Sequence, residues 1–285
     1  MRVEPPVSSP ASLPEALALL ANGDGGWKPV AGGTDLLVQI NGDLAPPPAH
    51  VLDIWRLAEL RGIDLVDGAL TLGALTTYTD IRRSELCREH LPALVEAAAT
   101  IGAAQIQNRG TIGGNAINAS PAGDTLPVLL ATEAELTLVS ARGERTVAAK
   151  DFWLAYRKTA CAPDELLLRI SFPLPKGRQV RFRKVGTRRA QAISKVVMAI
   201  SWREDGGVWR DVRVALGSVA PTPIRATQTE GVLEGAAPRQ TTADHAASTL
   251  AAEIHPIDDV RSTADYRRVV SARVLHRLLR EAGGW

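Results

Sequence analysis

The chain has 285 residues, 45% of them apolar, and a formal net charge of +2. This length and composition predict two or three lobes with a buried core, and the weak charge excludes a strongly basic surface for nucleic acid or membranes. Two cysteines, Cys87 and Cys161, are too few for a disulfide framework or a cysteine-bound cluster. No apolar run reaches the roughly 18 residues of a membrane span and no signal-peptide pattern is present, so we expect a cytoplasmic protein.

The N-terminal part predicts two helices that alternate with two strands. Ser12 precedes an Ala/Leu-rich run and has a glutamate three residues later, the capping-box pattern of a helix start. A short strand over residues 28–31 leads into "AGGTDL", and the second helix is expected to begin near Thr34 or Asp35. The next strand is "HVLDI", residues 50–54.

The following region predicts an antiparallel or mixed sheet with helices. Alternating apolar residues on both sides of Asp67 and Gly68 predict a hairpin, because Asp-Gly favours a two-residue turn. Helices are expected over 79–87 and 91–105, and another in "TLPVLLAT". A second hairpin around "ARGE" and a strand in "DELLLRISFP" follow. This order favours an α+β fold over a doubly wound parallel sheet.

The polar, turn-rich segment "PLPKGRQ" is the best candidate for a domain boundary. We therefore predict a first domain over 1–175, with subdomains of about 1–58 and 59–175, and a C-terminal domain over 178–285. Three apolar runs in the second domain predict a three-stranded antiparallel sheet. Three helices are expected after them, in "IRATQTEGVLEG", "TTADHAASTLAAEI" and "TADYRRVVSARVLHRLLREAGG".

The last predicted helix is amphipathic. Its apolar stripe repeats every four residues and comprises Tyr266, Val270, Val274 and Leu278. The opposite face carries five arginines, which we interpret either as a solvated face or as a docking face for a partner subunit. These arginines are Arg267, Arg268, Arg273, Arg277 and Arg280.

Two glycine-containing segments carry the strongest functional signal. "AGGTDL" and "GTIGGN" each combine glycines with a threonine hydroxyl, and the first leads into a predicted helix start. Glycine lets backbone N–H groups approach a ligand, and such groups at a helix start attract phosphate oxygens. Two loops of this kind can hold two linked phosphates, with Asp124 placed to accept hydrogen bonds from ribose hydroxyls. For either loop alone, a plain turn is the alternative.

Familiar nucleotide and metal motifs are absent from the sequence. Neither the P-loop pattern nor a G-x-G-x-x-G fingerprint occurs. The five histidines have no metal-ligand spacing, so no metal site is expected.

Longer stretches around the two loops resemble a known family. "PVAGGTDLL" and "IQNRGTIGGNAINASPAGDTLPVLLA" resemble the FAD-binding medium subunit of the molybdenum hydroxylases, which include xanthine, carbon monoxide and aldehyde dehydrogenase type enzymes. The similarity continues in "FWLAYRKTACAPDELLLRISFP" and "FRKVGTRRAQAISKVVMA", so it covers essentially the whole chain. The resemblance implies an FAD-binding PCMH-type fold, in which two α+β subdomains hold FAD and a C-terminal lobe packs beside them.

The resemblance also implies which residues contact FAD. The first glycine loop resembles one pyrophosphate loop and the second resembles the other, while Asp124 resembles the aspartate that holds the ribose. Leu167 and Ile101 resemble apolar wall residues, Lys184 resembles a cofactor-contacting lysine, and Ser120 assists Asp124. Judged by sequence context alone, Leu167 is equally a core residue, Ile101, at a position that is often aromatic in the family, is rather a core residue, and Lys184 is a solvated strand residue. The expected FAD-binding set is Val30, Ala31, Gly32, Gly33, Thr34, Asp35, Leu36, Ile101, Thr111, Ile112, Gly113, Gly114, Asn115, Ser120, Asp124, Leu167 and Lys184, with no catalytic side chain and no metal ligand.

The function that the resemblance implies is electron relay within a complex. A large subunit with molybdopterin oxidises the substrate, a small subunit with [2Fe–2S] clusters carries the electrons, and FAD in this chain passes them to NAD, a quinone or oxygen. Neither nucleic acid nor a membrane span is expected among the partners. Two other interpretations stay open: a stand-alone FAD-dependent oxidoreductase built on the same fold, and a non-redox nucleotide-binding interaction subunit.

Overall fold

Three larger β-sheets follow one another along the described chain and set its architecture, and β8 and β9 form a separate two-stranded sheet. The computed structural model describes residues 5–22, 26–42, 46–188 and 191–285. The strands are β1 (Val7–Ser8), β2 (Trp27–Val30), β3 (His50–Asp53), β4 (Ile63–Val66), β5 (Ala69–Gly73), β6 (Glu135–Ser140), β7 (Gly143–Ala148), β8 (Trp153–Ala155), β9 (Lys158–Thr159), β10 (Leu166–Pro173), β11 (Gln179–Val185), β12 (Val196–Asp205), β13 (Val208–Gly217) and β14 (Ile224–Arg225).

The described chain combines many helices with mainly antiparallel sheets, which confirms the predicted α+β class. They are α1 (Leu13–Asn22), α2 (Leu36–Asn41), α3 (Tyr78–Arg83), α4 (Glu85–His90), α5 (Pro92–Ala99), α6 (Ala104–Gln107), α7 (Ile112–Asn118), α8 (Leu126–Ala131), α9 (Thr227–Leu233), α10 (Gln240–Glu253) and α11 (Ala264–Gly283). Short 3-10 turns occupy Ala58–Leu60 and Ala149–Asp151. None of the helices in the described ranges is long and apolar enough to cross a membrane.

The N-terminal sheet is parallel and small. Its strand order is β1-β3-β2, and α1 packs on it through Ala16, Leu17 and Leu20. The helix begins where the capping pattern predicted, and the Ser12 hydroxyl accepts a hydrogen bond from the Glu15 N–H. This small layer presents the end of β2, where the first glycine loop starts.

The middle sheet has five antiparallel strands in the order β4-β5-β10-β6-β7. The predicted hairpin is confirmed, because Asp67 and Gly68 both have positive φ values, 49° and 76°, as a type I′ turn requires. The two long predicted helices are each divided. Ser84 caps α4 by accepting from the Cys87 N–H, and the chain turns at Gly102, whose φ is 53°.

The C-terminal sheet contains the three predicted antiparallel strands, β11, β12 and β13, and also a short fourth strand. The fourth strand, β14, lies in a segment that the sequence predicted to be helical, so α9 begins only at Thr227. One face of the sheet contributes Phe182, Val197 and Ala199 to the core of the middle region, next to α5 and α8. The other face packs against α9, α10 and α11, so this sheet lies between two layers.

The buried face of α11 includes most of the predicted stripe. Leu278 is buried, and Val270 and Val274 pack partly buried against the C-terminal core, whereas Tyr266 is 42% exposed. A spacing of four residues drifts by about 40° per step around a helix of 3.6 residues per turn, so Tyr266 lies about 120° from Leu278. The buried face is completed by Arg267, Ser271, Leu275 and Leu279. The predicted solvated face is therefore wrong for Arg267, which donates to the Ser218 carbonyl and to Asp259.

Candidate functional site

The first glycine loop connects β2 to α2 and leaves backbone donors free. Gly33 has a φ of 74°, a conformation that glycine adopts without strain. Its carbonyl accepts from the Leu37 N–H at 3.1 Å, which fixes the start of α2. Within the part of the chain that the structure describes, the N–H groups of residues 32 to 35 donate to no protein atom. Four adjacent unpaired donors make this loop suited to an anionic ligand.

The second segment has the same composition and a different structure. Thr111 is the N-cap of α7, and its hydroxyl accepts from the Gly114 N–H at 3.0 Å. The N–H groups of Ile112 and Gly113 donate to carbonyls of the turn after β5, and that of Asn115 donates to Thr111, each at 3.0 Å. The free amides expected here are therefore absent from residues 112–115. The segment instead offers the Thr111 hydroxyl, the exposed surface of Gly114 and the Asn115 side-chain amide.

The two segments lie against each other. A methyl group on Gly32 would overlap the carbonyl group of Arg109, and the Arg109 Nε lies 3.5 Å from the Gly32 carbonyl oxygen. Arg109 also stacks on Trp55, with its guanidinium carbon 3.8 Å from the ring centroid. The glycine at position 32 is thus required by a close backbone approach, and this approach brings the predicted loops together.

A buried ion pair lies between the second segment and the C-terminal sheet. Lys184 on β11 donates to Asp124 Oδ2 at 2.6 Å and to the Thr100 carbonyl at 3.2 Å. Both charged side chains are less than a tenth exposed. Burial raises the pKa of Asp124 to about 6, although the nearby Lys184 acts in the opposite direction. The other oxygen, Oδ1, is buried without a hydrogen-bond partner, and so is Asp35 Oδ2 of the first loop.

The remaining predicted residues lie around this pair. Ser120 accepts from the Ala122 N–H in the turn that leads to Asp124. Leu167 on β10 is 5% exposed in the middle core, and Ile101 is partly buried against the same core. Their placement agrees with the apolar role and equally with a core role.

Two serines that the sequence did not indicate hold the turn containing Asp124. The Ser194 hydroxyl donates to the Ala122 carbonyl at 3.2 Å, and the Ser218 N–H donates to the Pro121 carbonyl at 2.7 Å. The two hydroxyls also lie 2.9 Å apart. Both serines belong to the C-terminal half, and no local pattern distinguishes a serine of this kind from any other serine beside a strand.

A cleft of about 430 Å³ opens beside the ion pair. It lies between α5 and β11. Two of its lining residues, Thr100 and Lys184, also belong to the hydrogen-bonded group around Asp124. The other lining residues are Glu96, Phe182, Arg183, Val185, Gly186 and Arg188.

Two family models match this chain. The FAD binding domain in molybdopterin dehydrogenase matches residues 2–175, and the C-terminal domain of the CO dehydrogenase flavoprotein matches residues 181–282. The chain belongs to this family. Molybdopterin-dehydrogenase flavoproteins are oxidoreductase components, and FAD is the cofactor that gives the first family model its description.

Similar proteins match the flavoprotein along almost its whole length. The xanthine dehydrogenase FAD-binding subunit of Escherichia coli O157:H7 is 33% identical over 281 residues, covering 96% of each chain. The carbon monoxide dehydrogenase of Hydrogenophaga pseudoflava superposes with a TM-score of 0.92 at 33% identity, covering 97% of this chain and 96% of that one. The quinoline 2-oxidoreductase of Pseudomonas putida 86 has a TM-score of 0.92 at 26% identity, covering 100% and 99%.

The residues present fit a dinucleotide such as FAD. The first loop of the flavoprotein has unpaired N–H donors of the kind that bind phosphate oxygens. Asp35 and Asp124 each have a buried carboxylate oxygen without a partner. An unpaired buried acceptor is costly, so a bound ligand with hydroxyl donors would satisfy both.

Proposed function

We propose that this chain is the FAD-binding electron-transfer subunit of a multi-subunit molybdenum hydroxylase. It takes electrons from the [2Fe–2S] clusters of a small partner chain and passes them to an external acceptor, while a large partner chain with molybdopterin oxidises the substrate. Family membership and the full-length similarity to FAD-binding and medium subunits support this proposal. The observation that carries it is the group of four N–H donors of residues 32–35 that have no partner in the described chain, together with two buried carboxylate oxygens, of Asp35 and Asp124, that also have none there.

In this proposal the glycine segments hold the two ends of a pyrophosphate. The first loop, from Val30 to Leu36, supplies N–H donors. The second segment, from Thr111 to Asn115, supplies a hydroxyl, a side-chain amide and an open surface at Gly114, while the amides of residues 112–115 bond within the chain. When bound, FAD supplies the redox chemistry, for which the protein needs no acid–base side chain.

The second part of the proposed site is the ion pair between Asp124 and Lys184, with the residues around it. Asp124 accepts hydrogen bonds from ribose hydroxyls, and Lys184 favours its ionised form by direct contact. Ser120 shapes the turn before Asp124, while Leu167 and Ile101 form apolar surface. A hydroxyl-bearing ligand therefore meets a buried charged acceptor, which gives stronger hydrogen bonds than a neutral one.

We also propose that the chain divides into the domains 1–175 and 178–285, with the first split near residue 58. The extents of the two family models, 2–175 and 181–282, support the main boundary. Limited proteolysis tests it: cleavage confined to residues 174–180 is expected, whereas preferential cleavage inside either domain contradicts it.

The proposed location is the cytoplasm, which is supported by two cysteines that remain unpaired in the structure. The proposed acceptors are NAD, a quinone and oxygen. Mixing the reduced flavoprotein complex with each acceptor in a stopped-flow experiment distinguishes them, because the true acceptor restores the flavin absorbance within the turnover time.

The main experiment uses the chain alone and together with its partners. We expect the flavin-free chain to take up one FAD, followed by quenching of flavin fluorescence, and to co-purify with a molybdopterin chain and a [2Fe–2S] chain. Substrate oxidation by the FAD-loaded chain alone contradicts the subunit proposal and favours a stand-alone oxidoreductase. Failure to take up FAD contradicts both redox interpretations and favours a nucleotide-binding interaction subunit.

A further inference from the structure

Tyr78 is a buried tyrosine whose hydroxyl is left without a partner. It is the first residue of α3 and is only 3% exposed. Its hydroxyl forms no hydrogen bond with any residue of the described ranges, and its oxygen is not one of the fully buried polar atoms, so it keeps some accessible surface. Tyrosine hydroxyls at the edge of an apolar core usually find a polar partner, so this hydroxyl is available to a ligand.

The position of Tyr78 is fixed by the second glycine segment. Its N–H donates to the Gly110 carbonyl at 3.2 Å, and the neighbouring Thr77 pairs with Thr111 in an antiparallel bridge. A side chain at Gly110 would come within 2.9 Å of the tyrosine ring, so the ring lies directly against the glycine backbone. Thr77 and Asp80 form a complete capping box that holds this end of α3. The ring therefore has little freedom to move away from the proposed cofactor site.

Two carboxyls act on the Tyr78 phenol. Burial raises the pKa of this phenol well above the ordinary range, and the charges of Asp124 and Asp35 are close enough to act in the same direction. Each of these aspartates has one buried oxygen without a partner. A phenol that stays protonated is a constant donor, and the two carboxylates are acceptors.

A hydroxyl-bearing ligand satisfies all three groups at once. A sugar-type hydroxyl donates to a carboxylate and accepts from a phenol at the same time. We propose that Tyr78 is a further FAD-binding residue, whose hydroxyl donates a hydrogen bond to a hydroxyl oxygen of the ribose or ribityl part of FAD between Asp35 and Asp124. This inference depends on the proposed function, because it assumes that FAD is the ligand.

The test compares Tyr78→Phe with the wild-type chain and with Tyr156→Phe. The Tyr78 change removes only the hydroxyl, and Tyr156 is a matched control because it is 59% exposed in the turn after β8. FAD affinity is measured on flavin-free protein by fluorescence titration, and thermal unfolding is measured with and without FAD. We expect Tyr78→Phe to weaken FAD binding about 5–20-fold, the range for one lost hydrogen bond, and Tyr156→Phe to leave it unchanged.

The unfolding data separate ligand binding from a structural role. The flavin-free Tyr78→Phe chain should melt at the same temperature as wild type, because the hydroxyl bonds no described protein residue, while the rise in Tm on adding FAD should be smaller. A lower Tm of the flavin-free variant, or an unchanged FAD affinity, would overturn the inference while leaving the proposed function intact. If the wild-type chain binds no FAD, the proposed function and this inference both fail.

Discussion

The loop between β2 and α2 and the start of α7 contain the same residue types but use them differently. In the first loop, Gly33 adopts a positive φ and four successive N–H groups stay unpaired. In the second, Gly113 packs against Ala74, and every N–H group from residue 112 to 115 is bonded within the chain. The same residue types thus supply hydrogen-bond donors in the β2–α2 loop and close packing at the start of α7. Position in the fold, rather than composition, decides which glycine serves the ligand.

The largest expected effect comes from Gly113→Val. A Cβ atom there would lie 2.6 Å from the carbonyl oxygen and the Cβ of Ala74, and this backbone continues directly from β5. We expect a loss of about 3 kcal/mol or more in the free energy of unfolding, because a sheet backbone cannot shift to make room. Urea unfolding measures the loss. A variant as stable as wild type would mean that α7 does not pack closely on the sheet.

The neighbouring change, Gly114→Val, is expected to affect binding rather than folding. Its Cβ would meet only the Thr111 hydroxyl, at 2.8 Å, and the position is exposed. We expect unfolding to change by no more than about 1 kcal/mol, the contribution of one helix cap, while FAD affinity falls about 100-fold. Fluorescence titration measures the affinity. FAD bound at wild-type affinity would remove the start of α7 from the proposed site.

A third, smaller effect concerns pH and the Asp124 carboxyl. Its pKa is about 6 in the folded chain and 3.8 ordinarily, so the folded state holds the proton more tightly. The stability that this proton contributes is present below about pH 4 and is lost as pH rises to about 6, a fall of about 2–3 kcal/mol in the flavin-free chain. Asp124→Asn should remove this fall. Urea unfolding at pH 4, 5, 6 and 7 checks it, and equal slopes for both proteins would contradict it.

The smallest effect is expected from Gly33→Ala. Its φ of 74° costs a non-glycine residue about 1–2 kcal/mol, while the Leu37 side chain that a Cβ would touch is exposed and can rotate away. Gly177 is the matched control, with a φ of 79° and open space around it. Both variants should lose similar stability, but only Gly33→Ala should weaken FAD binding. Equal FAD affinity in the two variants would show that the first loop does not contact the ligand.

Local signals in the sequence predicted most elements of this fold. The Asp67–Gly68 turn and the Ser12 helix start depend on neighbouring residues, and both were predicted correctly. The strand β14 was missed because its two residues are defined only by pairing with β13. The burial of Arg267 was missed because its partners, Ser218 and Asp259, come from other segments.

In the candidate site too, the features that depend on distant partners could not be predicted from the sequence. The glycine segments and Asp124 could be identified from motifs, but the bonding of the amides in residues 112–115 depends on the turn after β5, which no local pattern connects to them. The sequence around Tyr78, "TTYTDI", indicates only an ordinary aromatic residue of the core. Its significance comes from a hydroxyl that bonds none of the described residues, which is visible only when every nearby donor and acceptor has been placed.

The ion pair between Asp124 and Lys184 has a consequence for protein engineering. Asp124 lies in the part matched by one family model and Lys184 in the part matched by the other. A chimera that joins residues 1–175 to the C-terminal half of a relative would need a cation at the β11 position, or the aspartate would be buried without its counter-charge. Recombination at this boundary is therefore permitted only between chains that keep the same charge on both sides of it.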